Sequence, residues 1–373
     1  IDYLNSTGIF TDDFLDYLGN LAFTGNVRAI PEGRIYFYNE PIMEITAPII
    51  ESQIVETLII NQANLQSVLA TKAARCYWSA KGRPVVDFSL RRTHGIDAGM
   101  KAARCSYMAG FQSTSNLLAG KIYGIPVSGT MAHSYVTSFE LEIDSFRAFA
   151  KSFPNSTILI LDTYDTVLAA KKAVQIASEM ETQGLRLRGV RLDSGDLINL
   201  SRIVRQTLDD AKLDYVIILA SGGLDEFEIE RLINANAPID GFGVGTRMGI
   251  SSDAPWLDMA YKLVRYDGRP VIKLSAGKTS LADEKQVFRL RDGHGKFRSD
   301  IIGLLNEPLP EPRAEALLKT FMEDGKLVRT LPSLNELRDR FQGDFSALKD
   351  RFKDLRSSYR YPVKLSSNLT KLQ

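Results

Sequence analysis

GVRLDSGDLINLSRIVRQTL, residues 189–208, holds the reading that decides the fold. Its first four residues form an extended, mostly apolar run. Behind them Leu197, Leu200, Val204 and Leu208 recur at the spacing of one helix face. The stretch therefore reads as a buried strand that hands over to a helix, with RLDSGD (191–196) at the junction. In open or closed α/β sheets that end of a strand is where ligands bind. Arg191, Asp193 and Asp196 put a cation and two carboxylates there, and such charges cost free energy to bury unless something polar meets them. Two readings follow. Asp193 or Ser194 caps the new helix, or the charges belong to an active site.

The same pattern repeats on both sides. Strand-like runs occur at PVVDFSL (84–90), YGIPVSG (123–129), TILILDTYD (157–165), GVRLDSGD (189–196), YVIILASGG (215–223) and IDGFGVGT (239–246). Most end in Gly, Ser or Asp before a helical pattern begins, as in TVLAAKKAVQIASEM behind Asp165. Strands alternating with helices imply βα units and a parallel sheet. Strands apolar on both faces suit a barrel at least as well as an open sheet. We therefore expect residues 85–250 to form a (β/α) barrel carrying the active-site rim.

The flanks read differently. FTGNVRAIPEGRIYFYNEPIMEITAP (23–48) alternates strands with Gly and Pro turns. YKLVRYDGRPVIKL (261–274) and KQVFRLRDGHGKFRSD (285–300) read as hairpins, with Asp-Gly at 267–268 and 292–293 as turn signals. The expectation is a second, α+β domain, mostly antiparallel, built from both ends of the chain (1–84 and 251–373). From 333 onward LNELRDRFQGDFSALKDRF predicts charged helices docked on the surface.

Bulk properties exclude several classes. Hydrophobic residues at 44% and charged residues at 24% are those of an ordinary soluble protein. Lys+Arg 46 against Asp+Glu 45 leaves none of the basic excess that nucleic-acid or membrane-surface binding draws on. No apolar run approaches the roughly 20 residues of a membrane span. Cys76 and Cys105 lack metal-ligand spacing and read as reduced, buried thiols of a cytoplasmic protein. The opening IDYLNSTGIFTDDFLDYL is amphipathic and acidic, unlike a signal or transit peptide. It lacks an initiator Met, so the expectation includes a start inside a longer protein.

On a barrel, six strand ends converge on one rim. They bring Arg91, Arg92 and His94; SGT with His133 of MAHS; Asp162 and Asp165; Arg191, Asp193 and Asp196; Ser221, Gly222 and Gly223; and Gly243, Gly245, Thr246 and Arg247. SGGLDE and GVGT each precede a helix-like segment, where small residues let backbone N–H groups approach an anion. Each loop alone is a weak phosphate signal, since Gly is common in such turns. His294 in DGHGK reads as solvent-facing, whereas His133 lies among small residues. A lone loop histidine is more often structural than catalytic, although near phosphate an imidazole can act as nucleophile or proton carrier, and position alone does not choose between these.

Taken in order, DFSLRRTHGIDAG (87–99), STSNLLAGKIYGIPVSGTMAHSYVTSF (113–139), LDTYDT (161–166), GVRLDSGDL (189–197) and DGFGVGTR (240–247) resemble the nicotinate phosphoribosyltransferase family. The later blocks YKLV, RPVIKLS, GKLV, PSLNELR and YRYPVKLS resemble it too, so the likeness covers essentially the whole chain. The resemblance implies an irregular barrel of the type II phosphoribosyltransferase kind. It implies the joining of nicotinate to phosphoribosyl pyrophosphate, giving nicotinate mononucleotide and pyrophosphate in NAD salvage. It also implies Mg2+, ATP hydrolysis coupled through a phosphohistidine, and a homodimer with shared active sites. By the same resemblance His133 is the phosphorylated histidine, Arg191 meets the nicotinate carboxylate and Asp193 sits near the ribose, which leaves Ser194 or Asp196 for the helix start. Phe88 stacks on the pyridine ring, Thr130 and Asn116 lie on the substrate side, and Arg91 faces phosphates. Gly245 and Thr246 hold the 5′-phosphate, with Gly222 and Gly223 in the second phosphate loop.

These roles agree with elementary chemistry. Arg binds a planar carboxylate through two parallel hydrogen bonds. Asp193 and Asp162 are suited to stabilise an oxocarbenium-like transition state, while cations hold the departing pyrophosphate.

The sequence departs from the family pattern at several points. A DLYQLTM-like opening is absent, Ser89 stands for the Gly of FGLRR, His94 for the Gln of RAQG, and Gly222-Gly223 for the Asn-Asp of SNDLDE. The last change keeps backbone donors and removes side-chain contacts. Two other readings stand beside the leading one: a transferase for nicotinamide or quinolinate, and a non-catalytic homologue that binds nucleotides. Ser115 and Asn116 offer no carboxylate to receive an amide.

Overall fold

A computed structural model of the chain describes residues 1–275 and 280–373. The chain divides into two compact units, Ile1–Ala63 with Asp258–Gln373, and Asn64–Leu257. These bounds lie at 63/64 and 257/258, against the 84/85 and 250/251 expected from strand patterns. The first of these differences comes from helix α1 (Glu56–Ser79), whose buried residues, from Val68 to Ser79, all fall in its second half. There Leu69 packs with Ala102 and Cys105 of helix α2 (Ile96–Met108).

The unit 64–257 carries a parallel sheet of β1 (Val85–Asp87), β2 (Ser113–Thr114), β3 (Ile158–Ile160), β4 (Gly189–Leu192), β5 (Ile217–Ala220) and β6 (Gly241–Val244). The spatial order is β2-β1-β6-β5-β4-β3. First and last strands pair, Val85 to Phe242 and Asp87 to Val244, which is how a barrel closes. At the other edge β2 and β3 are not neighbours, so the sheet is a curled half-barrel. β4 and β6 are buried along their whole length, as expected of strands covered on both faces.

The run YGIPVSG, expected as a strand, contributes only one isolated bridge, Val127 to Thr114. Pro126 lacks the N–H a ladder needs. Ser113–Thr114, too short to stand out by pattern, takes the strand position instead.

The helices that follow the strands are α3 (Leu117–Tyr123), α4 (His133–Thr137), α5 (Glu142–Ser152), α6 (Thr166–Glu181), α7 (Leu197–Asp210), α8 (Glu226–Asn234) and α9 (Thr246–Gly249). Aspartates start three of them. Asp165, Asp196 and Asp225 accept from free amides of α6, α7 and α8. The cap reading of RLDSGD thus belongs to Asp196, which leaves Asp193 and Ser194 free for other contacts.

The other unit is mostly antiparallel. Strand Asn26–Ala29 pairs with both Met43–Thr46 and Lys319–Glu323, so the two ends of the chain share one sheet. A second sheet pairs Lys285–Arg291 with Phe297–Leu304 and adds Val363–Leu365 in parallel. The hairpin at 265–270 turns on Asp267 (φ 47°) and Gly268 (φ 74°), the pair of positive angles a two-residue turn requires. Helix Leu334–Ala347 opens with a capping box between Ser333 and Glu336. It is more than a surface helix, because its buried Asp344 accepts from Arg34 and Arg289. Arg289 and Asp300 are both fully buried and pair at 2.6 Å. Among the described residues no helix is long and apolar enough to cross a membrane.

Candidate active site

Arg191 is the only charged residue on β4, and it lies buried among apolar neighbours. Its Nη1 donates to Asp193 Oδ1 at 2.8 Å and to Ser221 Oγ at 2.9 Å. Nη2 donates to the Met131 carbonyl at 3.1 Å, whereas Nε has no partner. Nε and Nη2 form the edge of a guanidinium that receives a carboxylate side-on. The protein therefore braces one side of Arg191 and leaves a donor unpaired on the other. Burial lowers the guanidinium's proton affinity, Asp193 and Asp162 oppose that shift, and the nearby charge of Arg91 adds to it.

Asp193 joins the ends of β4 and β5 to the start of α4. Burial disfavours its charge, yet the Ser221 hydroxyl, Arg191 and His133 outweigh burial and hold its carboxyl below the usual value. His133 starts α4, with Nδ1 at 3.1 Å from Thr163 Oγ1 and Nε2 at 3.6 Å from Asp193 Oδ2. Across the same rim Ser194 donates to Asp162 Oδ2, while Asp162 Oδ1 is buried without a partner.

The glycine turns fit against this cluster. Gly222 has φ +86°, and a Cβ there would fall 1.6 Å from the Asp193 carbonyl oxygen. Only a residue without a side chain lets the Ser221 turn pass so close to the Asp193 turn. Gly223 (φ +68°) faces open space. Gly243 makes room for the Phe88 ring, since a Cβ would come 2.4 Å from Phe88 Cε2 and 3.2 Å from Ser221 Cβ. Phe88 thus stands beside the strand ends that carry Ser221 and Gly245.

The two expected anion loops differ. At α8 the Asp225 side chain already accepts from Phe227 N and Glu228 N, and its other oxygen accepts from Arg247 at 2.8 Å. At α9 the cap is Gly245, with no side-chain cap bond, and Thr246 is the first helical residue. GVGT rather than the start of α8 therefore retains helix-end amides without a side-chain cap. Thr130 precedes Met131, whose carbonyl meets Arg191, and is half-buried. Arg91 lies exposed on the turn Leu90–Arg92.

Asn116 does not join the cluster. Its Oδ1 caps α3 by accepting from Ala119 N, and its Nδ2 faces Gly99 O and Met100 Sδ. It lines an apolar cavity of about 370 Å³ with Leu90, Thr93 and Met100. Its side chain thus serves as the cap of α3. His94 and His294 are both exposed. Sequence reasoning missed Thr163, the Met131 carbonyl and the bridging part of Ser221. Only Ser221 carried a signal, as a hydroxyl at a strand end before two glycines.

Comparison with known proteins places this geometry in a lineage. Residues 1–64 match the N-terminal domain of nicotinate phosphoribosyltransferase, 84–295 the nicotinate phosphoribosyltransferase family, and 309–373 its C-terminal domain. The chain is 48% identical over 369 residues to nicotinate phosphoribosyltransferase pncB2 of Mycobacterium tuberculosis, covering 98% of this chain and 78% of that one. It is 34% identical over 396 residues to the nicotinate phosphoribosyltransferase of Bacillus subtilis, covering 99% and 80%. The crystal structure of human nicotinic acid phosphoribosyltransferase superposes with TM-score 0.88 at 29% identity, covering 100% of this chain and 87% of that one. Nicotinate-nucleotide pyrophosphorylase from Pyrococcus furiosus superposes with TM-score 0.76 at 28% identity, covering 87% and 82%. With the half-barrel, the two-ended second unit and three consecutive family matches in agreement, the chain belongs to the nicotinate phosphoribosyltransferase family.

Proposed function

We propose that the protein transfers the phosphoribosyl group of phosphoribosyl pyrophosphate to nicotinate, as the names of its relatives indicate for them. The observation that carries this reading is Arg191: a buried guanidinium braced through Nη1, with Nε unpaired. Such a group is built to meet a carboxylate, because a buried donor without a partner costs about 1–3 kcal/mol until it finds one. The Phe88 ring offers an aromatic face for the pyridine.

In the reaction the pyridine nitrogen forms a bond to C1′ of the ribose. The bond from C1′ to the pyrophosphate oxygen breaks, and its electron pair leaves with pyrophosphate. Positive charge grows on the ribose meanwhile, as in glycoside hydrolysis. Asp193, held ionised, and Asp162 supply the opposing charge. Arg91 serves the departing phosphates, and Gly245, Thr246, Gly222 and Gly223 offer backbone donors to phosphate oxygens. The unpaired Asp162 Oδ1 is a donor suited to Mg2+, which is typically held by one or two carboxylates plus substrate phosphates. Bound there, Mg2+ would neutralise charge on the leaving pyrophosphate.

ATP coupling through His133 is part of the same proposal. The ring is partly exposed and oriented by Thr163 beside the Asp193 carboxylate. A cytoplasmic homodimer completes the reading. The exposed apolar side chains Ile96, Leu117, Leu118 and Ile122 fit a contact between subunits.

The test is turnover by the purified chain supplied with nicotinate, phosphoribosyl pyrophosphate, Mg2+ and ATP. Mononucleotide and pyrophosphate are expected in equal amounts. Equal turnover of nicotinamide or quinolinate would replace the assigned ring substrate. His133→Ala should abolish the stimulation by ATP, and undiminished stimulation would remove the phosphohistidine.

A further inference from the structure

Two adjacent acidic residues begin α8, and they reach different elements. Asp225 caps the helix and accepts from Arg247 of α9 at 2.8 Å. Glu226 is fully buried and reaches α1 instead. Its Oε2 meets Lys72 Nζ at 2.7 Å, and its Oε1 accepts from Arg75 Nε at 2.7 Å. Lys72, itself buried, also donates to Asp253 in the turn that follows α9. The Ser252 amide donates to the Arg247 carbonyl at 3.1 Å, which ties that turn back to α9.

These contacts close a ring. It runs from Lys72 to Glu226, along the chain to Asp225, across to Arg247, and through the turn at Asp253 back to Lys72. In the chain, α8 comes shortly after the glycine turn 221–223 and α9 starts within the turn 243–246. The ring therefore joins the two loops assigned above to phosphate.

We propose that Lys72 is a positioning residue for the transferase site. Through Glu226 and Asp253 it sets the spacing between the turns 221–223 and 243–246, and with it their grip on phosphoribosyl pyrophosphate. The inference deepens the proposed function and rests on it.

Gly222, Gly223 and Gly245 have no side chain to offer a ligand, so their donors are backbone amides. Such a donor cannot be re-aimed by turning a rotamer, and a hydrogen bond weakens steeply with distance and angle. Its aim depends on what holds the backbone. On one side Gly222 lies against the Asp193 carbonyl. On the other, Asp225 and Glu226 supply the hold. A buried ion pair adds little net stability, because desolvation offsets its attraction, but removing one partner leaves a buried charge uncompensated. The worth of Lys72 here is the geometry it fixes.

The nicotinate end is held separately, from the sheet. The Ser221 amide donates to the Leu192 carbonyl and the Phe88 amide to the Val244 carbonyl, each at 2.8 Å. Opening the ring should therefore weaken one substrate and spare the other.

The test is steady-state turnover by the whole chain with each substrate varied in turn. Lys72→Met keeps the length of the side chain and removes its charge. It should raise KM for phosphoribosyl pyrophosphate about 5- to 10-fold and change KM for nicotinate less than about twofold. Lys72→Arg, which can still bridge two carboxylates, should recover most of the loss. If Lys72→Met misfolds by circular dichroism, Asp253→Asn opens the ring at a half-exposed link and must raise the same KM. An unchanged KM for phosphoribosyl pyrophosphate in a folded variant overturns the proposal, even where its melting temperature falls. So does an equal rise in both KM values. Absence of transfer to nicotinate by the unmodified protein removes the proposed function itself, and the role of Lys72 falls with it.

Discussion

Gly222 lies at φ +86° against the Asp193 carbonyl, and Gly223 lies at φ +68° in open space. The two adjacent positions separate a conformational cost from a steric one. Ala at either position pays for the left-handed backbone, roughly 1 kcal/mol. At Gly222 it must also push the Ser221 turn off the Asp193 turn. Gly222→Ala should therefore lower unfolding free energy by about 2–4 kcal/mol. Gly223→Ala should cost about 1 kcal/mol, with both read as shifts in denaturant midpoint. Equal midpoints for the two variants would contradict the contact at Gly222. The sequence marked both glycines as a phosphate loop, but it could not tell them apart. The distinction depends on the turn at Asp193, 29 residues before Gly222, which chain-local patterns do not register.

At the scale of elements, strands and helices also bury charge. Glu40 faces Asp300 on strand Phe297–Leu304 and Arg289 on strand Lys285–Arg291, with Tyr361 donating to Asp300. Burial first, then the facing carboxylate of Asp300, push the Glu40 carboxyl well above the usual range. The folded protein therefore keeps a proton that the unfolded chain releases near pH 4.3. The stability this proton contributes is fully present below that pH and is lost as pH rises towards the raised folded value. Glu40→Gln, which cannot titrate, should flatten the fall in stability between about pH 5 and pH 8 in chemical denaturation. An unchanged slope would show that Glu40 ionises normally. None of this network was legible in sequence, because Glu40, Arg289, Asp300 and Tyr361 read as ordinary polar strand and turn residues. The hairpins themselves were legible, since Asp267-Gly268 needs only local backbone geometry. YGIPVSG misled because its apolar content resembled a strand while Pro126 and a missing neighbour left it a single bridge.

On the scale of the whole molecule, both thiols depend on global packing. Cys76 is 0% and Cys105 1% exposed, and burial with the charge of Glu226 pushes the Cys76 thiol up. Neither should react with an aromatic disulfide reagent in the native protein, and both should react once it unfolds. Rapid labelling of the folded protein would show that helix α1 opens far below the global transition.

Five of the six βα units, the antiparallel flanks and the gathering of charged strand ends followed from sequence alone. Periodicity and turn chemistry are local, and a parallel sheet must bring its strand ends to one side. The family followed too, from ordered blocks along the chain. Tertiary structure decided the rest: that Asp196 rather than Ser194 caps the helix, that Asn116 Oδ1 caps α3, and that the barrel stays half open. It also decided that Arg191 is braced by Asp193, Ser221 and Met131 with one donor unpaired. The bracing of Arg191 by Ser221 and Met131 depends on contacts across 30 and 60 residues, and only folding selects among the many partners a charged side chain has in sequence.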